Sequence, residues 1–282
     1  MVSSVTNDRS PRLARLELGR RLRDLRADRK IKDVAEAIGV SGATISRIET
    51  GVRPATRRSV LALCQLYGVE GSLREQLLDL ADQASRQGWW DRYEDIEIDQ
   101  LIGLEIDAVR IGSYNPSFIP WIFQTKEYAR SAIKGAAPRM ADNVLGDRVE
   151  ARLRRQQILT RQPPSFRLLV DESAIRRRVG GVQVMRHQLD RMVELAALPQ
   201  VSLQVVPFSL GAHPGINAFT LLEFMAPQPA VVYIESTAGD LYLERQSDIE
   251  RHQEYLDHLQ AGALDPDSSL RVIDDIKEKL ES

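Results

Sequence analysis

Apolar residues recur at helical spacing through the first 85 residues and predict five consecutive helices. The first, over residues 13–28, has Leu18, Leu22 and Leu25 as its inward stripe. The second covers residues 32–38, and the third begins after residue 41. The fourth and fifth cover residues 59–67 and about 73–87. These helices predict a small all-α domain, which we call the head.

Strong local signals link the second and third helices. Gly39 supplies the left-handed residue that ends the second helix. Ser41 is a good N-cap, since its hydroxyl can accept a hydrogen bond from the backbone N–H of Thr44. Two short helices joined in this way are the sequence form of a helix-turn-helix.

The exposed face of the third helix is small and polar. Ile45 and Ile48 form its apolar stripe, and its other face carries Gly42, Ala43, Thr44, Ser46 and Arg47. Small residues let a helix lie deep in a DNA major groove, hydroxyls reach phosphates or base edges, and arginine pairs with guanine. A plain surface helix with small side chains is the alternative interpretation.

This stretch resembles the lambda-repressor/Cro-like, or Xre-type, DNA-binding head. The matching motifs are VAEAIGVS, ISRIETG and Arg53-Pro54. In that family the glutamate of the second motif pairs with an arginine of the first helix, which implies a structural pair between Glu49 and Arg26. The link between the first two helices is about two residues shorter than the family pattern.

The resemblance also implies where DNA is held. Arg53, Arg57 and Arg58 cluster where such heads meet the DNA backbone. Because these heads bind as dimers to half-sites about one helical turn apart, we expect a homodimer on a two-fold site in double-stranded DNA. The expected DNA contacts are Ser41, Gly42, Ala43, Thr44, Ser46, Arg47, Arg53 and Arg57.

Beyond the head, helical patterns continue to residue 161, and strand patterns then appear together with further helices. Helices are predicted over residues 101–112, 126–134, 142–161, 183–197, 249–261 and 268–280, with an extended loop at 114–124. Short apolar or alternating runs predict strands, the last three of them antiparallel: FRLLVDE, VSLQVVPF, FTLLEF, VVYIES and DLYLE. The predicted fold is an all-α helix-turn-helix head of five helices, residues 1–85, followed by an α+β domain, residues 86–282, with a mainly antiparallel sheet.

Residues 88–280 carry a second set of motifs in a fixed order: GWW, LIGLE, FQTKEYAR, RLRRQ, QVVPFSLGAH, FTLLEF and VVYIES. In this order they resemble the actinobacterial domain of unknown function that follows an Xre-type head in many small regulators. Trp121 departs from that pattern, which more often has glycine. The resemblance implies a transcription regulator, often encoded beside a small partner protein, and no established ligand or reaction.

Charge is divided unevenly along the 282 residues. Residues 1–60 hold 14 basic and 7 acidic side chains, whereas the remainder holds 24 basic and 33 acidic ones. A basic head on an acidic body is typical of a DNA-binding module joined to a sensing or docking module. Apolar runs are too short for a membrane span and the first ten residues are polar, so we expect a cytoplasmic protein.

Few residues suggest chemistry. Cys64, the single cysteine, is expected in the core, and the four histidines are scattered, so we expect no metal site, no cofactor and no enzyme activity. His213, in the loop LGAHPG, could form an acid–base pair with the carboxylates Glu235 or Glu244, but a surface histidine is the simpler interpretation. The arginines at 152, 154 and 155, beside Asp171 and Glu172, are interpreted as salt-bridged structure, with an anion site as the alternative.

Aromatic residues near the domain junction offer a possible ligand or partner site. Core packing is the default interpretation, and a pocket or docking groove is the alternative. The candidates for such a site, with the loop histidine, are Trp89, Trp90, Trp121, Phe123 and His213.

Together these features predict a sequence-specific DNA-binding transcription regulator. Its second domain is expected to receive a small-molecule effector or a protein signal. An antitoxin-like module controlled by a small cognate partner protein is the alternative, and an enzyme is a third possibility.

Overall fold

The structure is a computed structural model that describes residues 11–85, 99–160, 163–236 and 239–280. The chain divides into two compact units, Met1–Asp107 and Ala108–Ser282. Within the described residues, no helix is both long enough and apolar enough to cross a membrane.

The described residues of the first unit fold into six helices. The five predicted helices are present, and a sixth packs beside the first. Their bounds are α1 Pro11–Arg26, α2 Ile31–Ala37, α3 Gly42–Glu49, α4 Arg57–Tyr67, α5 Gly71–Ala84 and α6 Asp99–Asp107.

The local signals in the sequence set the ends of α2 and α3. Gly39 has a positive φ of 69°, which only glycine adopts readily. Ser41 caps α3, and its Oγ accepts the Thr44 backbone N–H at 3.2 Å. The helix-turn-helix predicted from these residues is confirmed.

One core joins the helices of the head. The inward stripes of α1 and α3, represented by Leu18, Leu22, Ile45 and Ile48, are each at most 4% exposed. Cys64 belongs to the same core, as predicted.

The close approach of α1 to α3 depends on a glycine. A Cβ atom at Gly19 would lie 2.5 Å from the carbonyl oxygen of Ile48 and 2.8 Å from that of Glu49. Because ordinary Cβ contacts are longer than 3 Å, only glycine allows α1 to touch the backbone at the end of α3. Helix α3 is therefore seated directly on α1.

The described residues of the second unit form a six-stranded sheet with helices around it. The strands are β1 Arg110–Asn115, β2 Ser165–Asp171, β3 Val201–Val206, β4 Phe219–Glu223, β5 Val231–Ile234 and β6 Leu241–Leu243. The helices are α7 Lys126–Ala136, α8 Asp142–Arg155, α9 Glu172–Arg176, α10 Val182–Ala196, α11 Gln246–Gly262 and α12 Pro266–Lys279.

The sheet is mixed, in the order β3-β2-β1-β4-β5-β6. Among the described strands, β1, β2 and β3 run parallel to one another, whereas the β1–β4, β4–β5 and β5–β6 pairings are antiparallel. The antiparallel run of the last three strands is confirmed. The parallel half was not expected, so the predicted sheet is right only in part.

Strand β1 is the main correction to the predicted elements. The helix predicted over residues 101–112 ends at Asp107, and a central strand begins at Arg110. A Cβ atom at Gly112 would collide with the side chain of Leu256 on α11, which packs on this face of the sheet. Gly112 therefore leaves room for Leu256 at a position where a strand pattern would show a large apolar residue.

Candidate functional site

The outer face of α3 carries the side chains that were predicted from the sequence to contact DNA. Ser41, Ala43, Ser46 and Arg47 are exposed, and the two positions between them, 42 and 44, are partly exposed. Ile45 and Ile48 point the opposite way, into the core. The predicted division of α3 into an inner and an outer face is therefore confirmed, although DNA contact itself stays a prediction.

The polar groups on this face are held in place by local hydrogen bonds. The hydroxyls of Ser41 and Thr44 lie 2.9 Å apart, and the Nε of Arg47 donates to the Ala43 carbonyl oxygen at 3.2 Å. These bonds are at the surface, so DNA can replace them at little cost. The guanidinium of Arg47 is the one long cationic group among the six expected contacts on α3 and its cap.

Behind this face, Glu49 is joined to Arg26 as the resemblance implied. The Nε of Arg26 donates to Oε1 of Glu49 at 2.7 Å, and Nη2 donates to Oε2 at 3.2 Å. The Glu49 side chain is only 4% exposed. Hydrogen bonding to Glu49 raises the pKa of Arg26 above its already high value. Glu49 thus faces α1 and cannot be a DNA contact in this arrangement.

Arg26 also closes the short link between α1 and α2. Its Nη1 donates to the carbonyl oxygen of Arg29 at 2.7 Å, and Ala27 adopts a left-handed φ of 48°. Tyr67 lies against this corner, with the Arg29 guanidinium 5.4 Å from the centre of its ring. Burial, with a contribution from the Glu49 charge, raises the pKa of Tyr67 to about 12. Neither the hydrogen bond from Arg26 to Arg29 nor the contact of Tyr67 with this corner was predicted from the sequence.

Two of the three arginines expected near the DNA backbone, Arg53 and Arg57, differ in their surroundings. Arg53 is exposed in the loop after α3, and its backbone N–H donates to the Arg47 carbonyl oxygen at 3.0 Å. Arg57 starts α4 and forms an ion pair with Asp82, both side chains being about half exposed. Exposed pairs of this kind contribute about 0–1 kcal/mol, so a phosphate can displace Asp82.

The aromatic candidates of the second domain do not form one site in the described residues. Trp89 and Trp90 lie outside the described residues. Phe123 is completely buried, and Trp121 is half-buried in the same short 3-10 turn. Phe123 is thus a core residue, which agrees with the default interpretation.

His213 belongs to a different cluster, at the carboxyl ends of β1 and β2. Its ring meets that of Tyr114 edge-on at 5.7 Å, and its Nε2 lies 3.9 Å from Oδ2 of Asp171. The Tyr114 hydroxyl donates to the same Oδ2 at 3.1 Å, and burial, with the nearby Asp171 charge, raises the pKa of Tyr114. In the part of the chain that the structure describes, the carboxylate close to His213 is therefore that of Asp171, rather than Glu235 or Glu244 as suggested by sequence.

The comparisons with known proteins agree with these two units. Residues 17–77 match a helix-turn-helix domain, a class found in DNA-binding regulators. Residues 98–275 match the domain of unknown function DUF5753. Since this second match spans more than half of the chain, the chain belongs to the DUF5753 family. No curated protein and no solved structure matches it. The resemblance of both parts noted from sequence is confirmed.

Proposed function

We propose that the protein is an Xre-type, sequence-specific transcription regulator that places α3 in the major groove of DNA. The observation that carries the proposal is the outer face of α3, where small and hydroxyl residues surround Arg47. A helix with such a face can approach base edges closely, and Arg47 can reach guanine O6 and N7. We assign no catalytic activity to the chain, and we place it in the cytoplasm, where the DNA is.

The expected complex is a homodimer on a two-fold operator. Heads of this kind contact only one half-site each, and half-sites lie about one helical turn apart. The dimer contacts are assigned to the second domain, because the apolar faces of the five head helices are already buried against one another in one core. A fragment of residues 1–85 is therefore expected to be monomeric and to bind DNA weakly.

Selection of bound duplexes from a random library tests this function. The full chain should enrich a two-fold motif with half-sites about 10 base pairs apart. The 1–85 fragment should enrich the half-site only, at lower affinity. Recovery of duplexes without any shared motif would show that the head does not recognise sequence, and a tightly dimeric 1–85 fragment would show that the dimer contacts are misplaced.

In this proposal the second domain receives the signal, which is a small molecule or a partner protein. A surface depression of about 330 Å³ between the sheet and α11 favours the protein alternative. It is lined by the apolar residues Leu221, Ala230 and Ile249 and by the glutamates Glu223, Glu250 and Glu254. Such a surface suits an apolar anchor flanked by basic side chains of a small cognate partner.

Co-purification with the small protein encoded beside the gene tests this alternative. The charge-reversing pair Glu250→Lys with Glu254→Lys should abolish the complex. Glu278→Lys on the exposed part of α12 is the matched control and should leave it intact. If the wild-type chain and the neighbouring protein elute separately, the partner alternative is wrong.

A further inference from the structure

Three arginines lie between residues 53 and 58, after the end of α3, and their charges are balanced differently. Arg53 and Arg58 are exposed, and neither side chain forms a hydrogen bond or an ion pair with the residues that the structure describes. The Nη1 of Arg57 donates to Oδ2 of Asp82, on α5. One carboxylate thus neutralises the middle member of a group of cations that is otherwise open to solvent.

The core and a helix cap hold Asp82 beside the start of α4. Leu78 and Ala81 of α5 are buried in the core of the head, which leaves Asp82 on the exposed side of that helix. Thr56 caps α4, since its Oγ1 accepts the backbone N–H of Ser59 at 3.1 Å. The carboxylate and the guanidinium are therefore within reach of each other before DNA arrives.

The ion pair occupies donors that a DNA phosphate would need. Carboxylate and phosphate oxygens accept hydrogen bonds from the same N–H groups of a guanidinium, so the two anions compete for one side chain. The side chains of Arg57 and Asp82 are both about half exposed, so their pair is weak enough to be exchanged. DNA can use Arg57 fully only after Asp82 has been displaced, and the stability of the pair is subtracted from that of the complex.

We infer that Asp82 competes with DNA phosphate for Arg57 and holds the affinity of the protein for DNA below the value that its arginines alone would give. This role rests on the proposed function, because it requires the surface after α3 to face the DNA backbone. Phosphate contacts carry no direct sequence information. Asp82 therefore sets the strength of binding to all duplexes alike, whereas base preference is left to α3.

The affinity of the full chain for a short duplex of mixed sequence tests this role, measured by fluorescence anisotropy at low salt. No operator is needed, because phosphate contacts supply non-specific binding as well. Asp82→Asn should bind about three- to tenfold more tightly than wild type, as expected when an exposed ion pair is removed from one or two heads. Its melting temperature should stay close to that of wild type, so that the gain does not reflect a change in folding.

Asp79→Asn is the matched control for the change in net charge. Asp79 is exposed one turn earlier on the same helix, and it forms no ion pair with the described residues. Because charges out of contact are screened by salt, its replacement should strengthen DNA binding by less than about twofold. The difference between the two variants measures the competition itself.

A double-mutant cycle shows whether Asp82 acts through Arg57. Arg57→Gln alone should weaken binding and flatten the salt slope by about one unit per head. When Asp82→Asn is added to Arg57→Gln, the affinity should rise no more than with Asp79→Asn, because there is no guanidinium left to release. An equal gain from Asp82→Asn in both backgrounds would identify a general effect of charge and overturn the competition.

The outcomes separate this role from the proposed function. If wild type binds the duplex and Asp82→Asn binds no more tightly than Asp79→Asn, Asp82 is not a competitor, and the proposed function stands. If neither wild type nor Asp82→Asn binds any duplex, the proposed function is wrong and the role of Asp82 fails with it. A gain confined to particular DNA sequences would place Asp82 near a base edge and would also contradict competition for a phosphate contact.

Discussion

Arg26 on α1 binds the carboxylate of Glu49 at the end of α3 with two hydrogen bonds, of 2.7 and 3.2 Å. The two side chains are 17% and 4% exposed. Arg23 adds a third link from α1, since its Nη2 donates to the Glu49 carbonyl oxygen at 3.3 Å. The pair therefore fixes the angle at which α3 leaves the domain, and through it the position of the expected DNA-contacting face.

Replacing Glu49 should act through stability. Glu49→Ala leaves Arg26 with a poorly hydrated, unpaired charge, and breaking a buried pair costs on the order of 3 kcal/mol. The melting temperature and the urea midpoint of the head should fall together. Glu36→Ala, at an exposed position on α2, is the matched control and should change neither.

The same variant distinguishes a structural role from a DNA contact. Glu49→Ala should weaken binding to all DNA sequences alike, because it lowers the fraction of molecules in which α3 is in its native position. An unchanged melting temperature together with an altered base preference would mean that Glu49 contacts DNA.

Adding a single methyl group to α1 should also destabilise the contact between α1 and α3. Gly19→Ala drives a Cβ atom into the backbone carbonyls of Ile48 and Glu49, and overpacking of this kind costs about 1–3 kcal/mol. Gly146→Ala, in α8, is the control: nothing lies within 4 Å of its Cβ position, so helix propensity alone should stabilise the chain by about 0.5–1 kcal/mol. Urea unfolding measures both. Equal stability of Gly19→Ala and wild type would show that α1 and α3 are not in backbone contact.

The charge of the head predicts steep salt dependence. If a dimer neutralises about six phosphates, raising salt from about 50 to 200 mM should weaken DNA binding on the order of 10³-fold. Fluorescence anisotropy across a salt series gives the slope directly. A slope near zero would mean that the basic residues of the head do not hold phosphates.

Local signals account for what the sequence predicted well. The ends of α2 and α3 follow from Gly39 and Ser41, whose effects depend on the nearest few residues. Gly19 was missed because its importance lies in the carbonyl groups of a helix about thirty residues away. The pattern of apolar positions shows that a helix has an inner face, but not how closely its neighbour approaches.

The errors in the second unit come from long-range pairing. In β1, Gly112 and Ser113 occupy positions where large apolar residues usually mark a strand. The side chain of Leu256, on α11, fills the space beside Gly112. The antiparallel partner of β1 is β4, in which Glu223 lies opposite Arg110. No local pattern connects residues so far apart. Arg152 was assigned to the wrong partners for the same reason, since Gln124 reaches it only through the fold.

Base recognition by Arg47 is the central claim, and its competitor is a simple phosphate contact. The most direct measurement is the affinity of Arg47→Ala for a library of single-base operator variants, compared with wild type. Loss of a base contact should cost about 1–3 kcal/mol and remove the preference at one position of each half-site. A uniform loss of affinity, with every base preference intact and a flatter salt slope, would contradict base recognition by Arg47.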